Sequence, residues 1–266
     1  MGEKPILFNT QMVRAILNGS KTQTRRLIKR RYDNTVLEMK TDKYGTRLIE
    51  IQKDEEGVTF GKHEDGSTWR KLRAYIEPKP AYKRGDILYV RETWNYGTVD
   101  SDCKECCPPE YWFEEDDYKK QGSHPRFIIN RFWYKADKDD EADMDGLGGR
   151  WRPSIHMPKE AARIWLRVTD VRLQRLQDIS YDDVQAEGMD MDEWYEYDEW
   201  QHQTGDGLAA DGISVKYETM SGFFGHKVWD ATMQSLEQYE EYGWDANPWV
   251  WAYTFERIDN QREEKA

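Results

Sequence analysis

The sequence predicts a mixed α+β fold that is mainly β, in which about five or six strands form a small closed barrel with flanking helices. Three observations predict it. Short apolar runs that suit strands recur along the chain, only three stretches show helical features, and 14% of the residues are aromatic. Because disordered chains are poor in aromatic residues, these side chains predict a packed core.

The composition narrows the class of protein. The 266 residues carry a net charge of -12, which argues against broad coating of nucleic acid but leaves room for a local basic site. No apolar run approaches the ~18 residues of a membrane span, and no signal peptide is apparent. Three cysteines do not make a disulfide framework. We therefore expect a soluble, cytoplasmic protein with no membrane partner.

The N-terminal region predicts a strand, a helix and a second strand. Lys4–Phe8 is a short apolar run, and Asn9 or Thr10 then supplies a helix N-cap. Gly19 predicts the end of the helix, because glycine commonly follows the last helical residue. The polar turn 20–26 then leads into the second strand. The apolar positions at helical spacing between these signals are Met12, Val13, Ile16 and Leu17.

The middle of the chain alternates strands with insertions. An insertion at 31–80 has weak patterns, of which Thr46–Gln52 suggests a hairpin. A Gly-Asp turn then leads into a strong strand at Ile87–Trp94. A second insertion spans 95–150 and contains the strand-like Phe127–Ala136.

The C-terminal part predicts a long strand, two helices and a closing strand. In chain order these are Ala161–Leu176, a short helix that Ser180 caps and Gly188 ends, a longer helix over Phe223–Tyr239, and Pro248–Phe255. The acidic stretch 190–222 is a third insertion. We expect residues 1–258 to form one domain with these insertions and 259–266 to be a frayed tail. A separate domain at 95–150 is the alternative.

Several pieces of the chain resemble the ASCH domain, a member of the PUA-like superfamily. They are Pro5–Asn9, Gly19–Arg26, Gly85–Trp94 and Asp178–Met189. The first and last pieces, with Trp151–Pro158 and Trp249–Ile258, are similar to uncharacterised ASCH proteins of phages and prophages. The resemblance implies a PUA-like pseudo-barrel with a cleft that receives RNA or a modified base.

The resemblance also implies a reaction and three catalytic residues. One bacterial branch of much smaller ASCH proteins removes the acetyl group of N4-acetylcytidine by amide hydrolysis without a cofactor. Its catalytic residues fall on Lys21 as proton acceptor, Thr24 as nucleophile and Glu187 as proton donor. The alternatives are a non-catalytic module that binds RNA or a modified base, and a ribonuclease.

The chemistry is plausible at these positions, with one competing interpretation. A lysine acts as a base only if its pKa falls from about 10.4 towards neutrality, which burial or neighbouring cations would favour. Glu187 ends its helix, where the partial negative charge disfavours a carboxylate and suits a proton donor. Lys21 and Glu187 would instead oppose catalysis if they simply paired with each other.

Five further residues are candidates for binding the substrate. Arg25 and Arg26 lie in the stretch 21–31, which has six bases and no acid and suggests phosphate contact or a solvated strand edge. Arg91 and Glu92 are adjacent on a strand, and they suggest a buried pair or a surface pair. Trp94 belongs to the core or stacks on a base.

Metal and protein partners are weaker suggestions. Cys103, Cys106 and Cys107 with His124 would make a zinc site, but the usual second cysteine pair is missing, so ordinary thiols and no metal are expected. The run 182–199 has nine acids and no base, which is typical of a solvated face or of a surface for a protein partner.

Overall fold

The computed structural model has a mixed α+β fold that is mainly β, which confirms the predicted fold class. It describes residues 3–32, 35–43, 45–52, 60–62, 68–70, 75–101, 119–120, 125–137, 151–204, 218–233 and 235–258. The predicted zinc ligands Cys103, Cys106, Cys107 and His124 and the tail 259–266 lie outside these residues.

The described strands lie mostly in the first half of the chain and the described helices mostly in the second. The strands are β1 (Glu3–Leu7), β2 (Gln23–Leu27), β3 (Thr35–Asp42), β4 (Gly45–Gln52), β5 (Phe60–Lys62), β6 (Thr68–Arg70), β7 (Tyr75–Ile76), β8 (Ile87–Arg91), β9 (Trp94–Ser101), β10 (Lys119–Lys120), β11 (Pro125–Tyr134), β12 (Trp165–Arg175) and β13 (Trp249–Ile258). The α-helices are α1 (Thr10–Leu17), α2 (Tyr181–Ala186), α3 (Met191–Thr204), α4 (Met220–Phe223) and α5 (Leu236–Tyr242).

The largest sheet has five strands in the order β1-β8-β12-β13-β2. β1 runs parallel to β8, whereas the β12–β8 and β13–β2 pairs are antiparallel. In the described part of the chain this sheet has β1 and β2 as its edges, so it is an open sheet and not the closed barrel that the sequence predicts. The positions of strands can be recognised in a sequence, but whether two edge strands pair depends on contacts that no local pattern encodes.

Backbone contacts divide the chain into two compact units, to which β12 and β13 each contribute residues. The first unit comprises 1–21, 85–167 and 256–266, and the second comprises 22–84 and 168–255. In the first unit, β9 and β11 form an antiparallel pair. Its aromatic side chains pack with a core that contains Tyr89, Trp94, Met157, Ala161, Ala162 and Trp165.

The N-terminal helix has the predicted ends. Asn9 is the N-cap of α1, and its side chain accepts from the Met12 N–H at 2.8 Å. Gly19 follows the helix with φ +85°, a conformation in which a side chain would be strained. The buried face of α1 consists of Val13, Ala15 and Ile16.

The second unit has a helical core and a β-hairpin. β3 and β4 pair antiparallel, so the predicted hairpin near Thr46–Gln52 is confirmed and is longer than expected. The buried carboxylate of Glu50 holds the open end of this hairpin against the preceding segment. Glu50 Oε1 accepts from the N–H groups of Arg31 at 2.7 Å and Tyr32 at 3.0 Å. The helical core is formed by Leu176, Ile179, Val184, Met189, Trp194, Met220, Phe223, Phe224, Trp229, Trp244 and Val250.

The predicted helix over Phe223–Tyr239 is wrong as a single element. The chain forms α4, then one π-helical segment (Phe224–Trp229) and a short 3-10 turn, and α5 begins only after Ser235. Ser235 is extended and its hydroxyl accepts from the Gln238 N–H, so it starts a new helix. The acidic insertion at 190–222 also contains a helix, α3, that the sequence patterns missed. None of the described helices has the length and apolar character needed to cross a lipid bilayer.

The π-helical segment carries a histidine between two carboxylates. His226 Nδ1 lies 2.5 Å from Glu218 Oε1, and His226 Nε2 lies 3.5 Å from Asp245 Oδ1. Burial alone would lower the pKa of His226, but hydrogen bonding to these carboxylates and their charge raise it above its usual value. Burial raises the pKa of Asp230, and the charge of His226 opposes this increase.

We expect this imidazolium to stabilise the fold at mildly acidic pH. A histidine whose pKa is raised by folding contributes stability below the unfolded pKa of about 6.5, and the contribution is lost as pH rises through the folded pKa. His226→Gln should therefore lower the Tm more at pH ~5.5 than at pH ~8.5. The control is His156→Gln, at an exposed histidine of the first unit. An equal Tm deficit of His226→Gln at both pH values would contradict the expectation.

Candidate functional site

The motif at the start of β2 and the motif at the end of α2 meet in the second unit. The N–H of Thr22 donates to the carbonyl of Ala186 at 2.8 Å, and the N–H of Phe255 donates to the carbonyl of Thr22 at 2.9 Å. Glu187 is the C-cap of α2, and Gly188 follows with φ +76°. Two segments that are distant in the sequence are thus joined through their backbones.

Arg25 is the centre of a buried ion-pair network on one face of β2. Its side chain is 1% exposed, and it donates to Asp183 Oδ2 at 2.8 Å and to Glu187 Oε1 at 2.9 Å. The two carboxylates are one helical turn apart on α2, so they project from the same side of that helix. Because a buried charge without partners is costly, these two contacts are what allows Arg25 to lie in the interior.

Two more side chains complete the network around Arg25. Arg172 Nη2 donates to Asp183 Oδ1 at 3.0 Å, and Gln23 Nε2 donates to the same oxygen at 2.9 Å. Burial alone would raise the pKa of Asp183, but the hydrogen bonds from Arg172 and Gln23 and the charges of Arg25 and Arg172 lower it below its usual value. Asp183 is therefore an ionised structural group. We call these four residues and Glu187 the Arg25 network.

The opposite face of β2 carries a different set of groups. Successive strand residues point to opposite faces, so Thr24 and Arg26 lie on the side away from the Arg25 network. Tyr253 is directly across from Thr24 on β13, and the ring of Tyr82 packs edge-on against it with 5.1 Å between centroids. We call Thr24, Arg26, Tyr82 and Tyr253 the Thr24 face.

Electrostatics link Arg26 to the phenols of this face. Burial lowers the pKa of Arg26, and this is offset in part by Tyr82, Glu187 and Tyr253. Burial also raises the pKa of Tyr82, and the positive charge of Arg26 offsets part of this increase. The Thr24 face thus combines a hydroxyl, a guanidinium and two neutral phenols. Such groups are suited to holding a polar, uncharged or anionic substrate oxygen.

Lys21 belongs to the first unit and is almost inaccessible to solvent. Its side chain is buried, its N–H donates to the Ala15 carbonyl at 2.9 Å, and its ammonium nitrogen is 5.7 Å from the centroid of the Phe8 ring. Lysines are almost never fully buried in folded proteins. The three predicted catalytic residues share this feature, since Lys21 is 2%, Thr24 3% and Glu187 8% exposed.

Glu92 is buried, but its partner is not Arg91. Arg163 binds both oxygens of Glu92, at 2.9 and 3.0 Å, and also binds both oxygens of Asp137 at 2.7 Å. Burial raises the pKa of Glu92, which Arg163 counteracts. Arg91 is half-buried and donates to the Ile155 carbonyl at 3.3 Å. The structure therefore separates two neighbours that the sequence presents as one candidate pair.

Trp94 lies in the core, the first of its two predicted placements. It is 5% exposed, and the guanidinium carbon of Arg152 lies 5.2 Å from its ring centroid. In the basic stretch, Arg30 pairs with Glu241 and also donates to the Thr35 carbonyl at 2.6 Å. Within the described residues, no group of three His, Cys, Asp or Glu side chains could hold a metal ion.

Comparisons with protein-family models, curated proteins and solved structures found no match. The resemblance to the ASCH domain therefore stays a prediction.

Sequence reasoning misses the residues that surround the predicted ones. Asp183 is missed as a site residue, although its spacing from Glu187 places both on one helical face. Arg172 and Tyr253 have a weaker signal, since each lies in a strand whose register the sequence does not reveal. Arg163 has no local signal that would mark it as the partner of a buried glutamate.

Proposed function

We propose that the protein acts on RNA or modified nucleosides, and that it removes an acyl group from N4-acylated cytidine by amide hydrolysis. The observation that carries the proposal is the junction of β2 with α2. It unites the two motifs in which the resemblance predicts catalytic residues, and it does so with Thr24 and Glu187 both buried.

The proposed chemistry uses the hydroxyl of Thr24 as the nucleophile. Its oxygen attacks the acyl carbon of the amide while a base removes its proton, a role that the resemblance predicts for Lys21. The carbon–nitrogen bond then breaks, the cytidine amine leaves with one proton, and water hydrolyses the acyl ester on Thr24. Arg26 and Tyr82, on the same face of β2 as Thr24, are suited to stabilise the negative oxygen of the intermediate.

The ion pair with Arg25 modifies the role of Glu187. An arginine at 2.9 Å favours the carboxylate form, so Glu187 begins the reaction without a proton to give. The proton that Lys21 takes from Thr24 therefore has to reach Glu187 before Glu187 can donate it to the leaving amine. The same ion pair favours a second candidate function, a non-catalytic module that binds RNA or a modified base, because a permanent carboxylate is sufficient for binding.

Turnover of N4-acetylcytidine by the purified protein tests the proposal. Thr24→Ala should abolish detectable product, whereas Thr24→Ser should retain part of the activity because serine preserves the hydroxyl. Lys21→Ala should lower kcat/KM by about 100-fold or more because a base is lost. Glu187→Gln should also reduce turnover, since glutamine can neither accept nor donate the proton.

The matched control is Lys29→Ala, which removes an exposed lysine from the same basic stretch. We expect this variant to retain the wild-type rate, because Lys29 has no role in the proposed reaction. If the wild type and Lys21→Ala give the same null rate, hydrolysis is excluded. Binding of the nucleoside without any product would then select the second candidate function.

A further inference from the structure

The antiparallel pair of β9 and β11 carries a row of aromatic side chains on one face. Trp94 and Tyr134 are directly opposite each other in the register, and so are Tyr96 and Phe132. The ring centroids of Trp94 and Phe132 are 5.8 Å apart, and those of Tyr96 and Phe132 are 5.1 Å apart. All four belong to the first unit. We call them the aromatic ribbon.

The ribbon passes from the core to the surface. Trp94 is buried at one end, whereas Tyr96 is 43% exposed at the other. A ring that is half in contact with protein and half open to solvent can accept a second ring on its free side. Nucleobases stack on such rings.

One arginine lies against this ribbon, and a second one binds the segment that carries the first. Arg152 is exposed, pairs through its backbone with Trp94, and places its guanidinium over the Trp94 ring. Arg91 donates to the carbonyl of Ile155, three residues further along the same segment. Among the described residues, neither arginine forms an ion pair with a carboxylate, whereas Arg163 and Arg167 of the same unit do.

This combination is selective in its chemistry. A guanidinium stacked on a ring keeps its N–H groups at the edge, where they can donate to phosphate oxygens. In a duplex the faces of the bases are already stacked on each other, so an exposed ring suits unpaired bases. We propose that the aromatic ribbon, with Arg152 and Arg91, is a binding surface for single-stranded nucleic acid.

The inference rests on the proposed function in one respect, which is that the substrate is RNA and not only a free nucleoside. The test is fluorescence anisotropy of a labelled single strand of about 12 nucleotides, as RNA and as DNA, titrated with the full chain. Tyr96→Ala combined with Arg152→Gln should weaken binding at least ten-fold. Arg152→Gln alone should reduce the salt slope by about one. Tyr96→Phe should bind like the wild type, because it keeps the ring.

The matched control combines Tyr239→Ala with Arg167→Gln, which removes an exposed tyrosine and an exposed arginine elsewhere. Equal binding by the test and control variants, or no binding by the wild type, would overturn the proposal. So would loss caused by Arg152→Gln with none from Tyr96→Ala, since that describes a simple polyanion site. A difference between RNA and DNA identifies which strand is bound.

Turnover of the free nucleoside separates this inference from the proposed function. Tyr96→Ala with Arg152→Gln should leave hydrolysis of free N4-acetylcytidine unchanged. Loss of strand binding in a protein with no hydrolase activity would therefore support this surface while refuting the proposed reaction.

Discussion

Replacing Arg25 by methionine is expected to lower the free energy of unfolding by about 3–5 kcal/mol. Arg25 is buried and joins two carboxylates of α2, and methionine deprives both of this partner. Asp183 retains Arg172 and Gln23 in this variant. Denaturant unfolding monitored by circular dichroism measures the loss, provided that the m-value is unchanged.

An exposed arginine provides the comparison for this result. Arg167 pairs with Glu256 at 2.9 Å, and both side chains are about half exposed. Arg167→Met should therefore cost only about 0–1 kcal/mol. Adding Glu187→Met to Arg25→Met should recover part of the loss, since the carboxylate that lost Arg25 is removed as well. Similar losses for Arg25→Met and Arg167→Met would mean that the Arg25 network does not stabilise the fold.

Gly225→Ala is expected to destabilise the second unit by about 1–3 kcal/mol through overpacking. A Cβ atom at this position would lie 2.0 Å from Cδ2 and 2.4 Å from Cγ of Trp244. The backbone of Trp244 is fixed, because its N–H donates to Asp230 at 2.7 Å and its carbonyl accepts from Gln177 at 2.9 Å. The indole therefore has little freedom to move away. The change in Tm and in the unfolding midpoint measures the effect.

The control is a second glycine in the same helical region. At Gly222 the nearest atoms to a new Cβ are side-chain atoms of Glu218, at 3.1 and 3.2 Å. Gly222→Ala should change stability by less than about 1 kcal/mol, because alanine also favours the helix. If both variants are equally stable, the contact between Gly225 and Trp244 is not the constraint that the distances indicate.

Local signals in the sequence predict the ends of several elements correctly. Asn9 and Gly19 bound α1, and Ser180 caps α2 with a hydroxyl that accepts from the Asp183 N–H. These predictions succeed because a cap or a left-handed turn depends on a few neighbouring residues. The break before α5 is missed, although the Ser235 hydroxyl marks it by accepting from the Gln238 N–H as an N-cap.

The candidate site is predictable in part. The predicted catalytic residues are buried. The sequence does not reveal how β2 pairs with its neighbour, so it does not show which face of the sheet Arg25 occupies and which face Arg26 occupies. Strand geometry assigns these neighbours to opposite faces, one towards α2 and one towards Tyr82. The partners Asp183 and Arg163 depend on which segments pack together, which is long-range information.

The two-sided arrangement of β2 has a consequence for redesign. Alternate positions of this short strand face different surroundings, with the buried ion pairs of Arg25 on one side and the proposed nucleophile Thr24 on the other. Under the proposed reaction, Arg26 is the position to vary for selectivity, because Thr24 supplies the nucleophile and the ion pairs of Arg25 on the other face hold the scaffold.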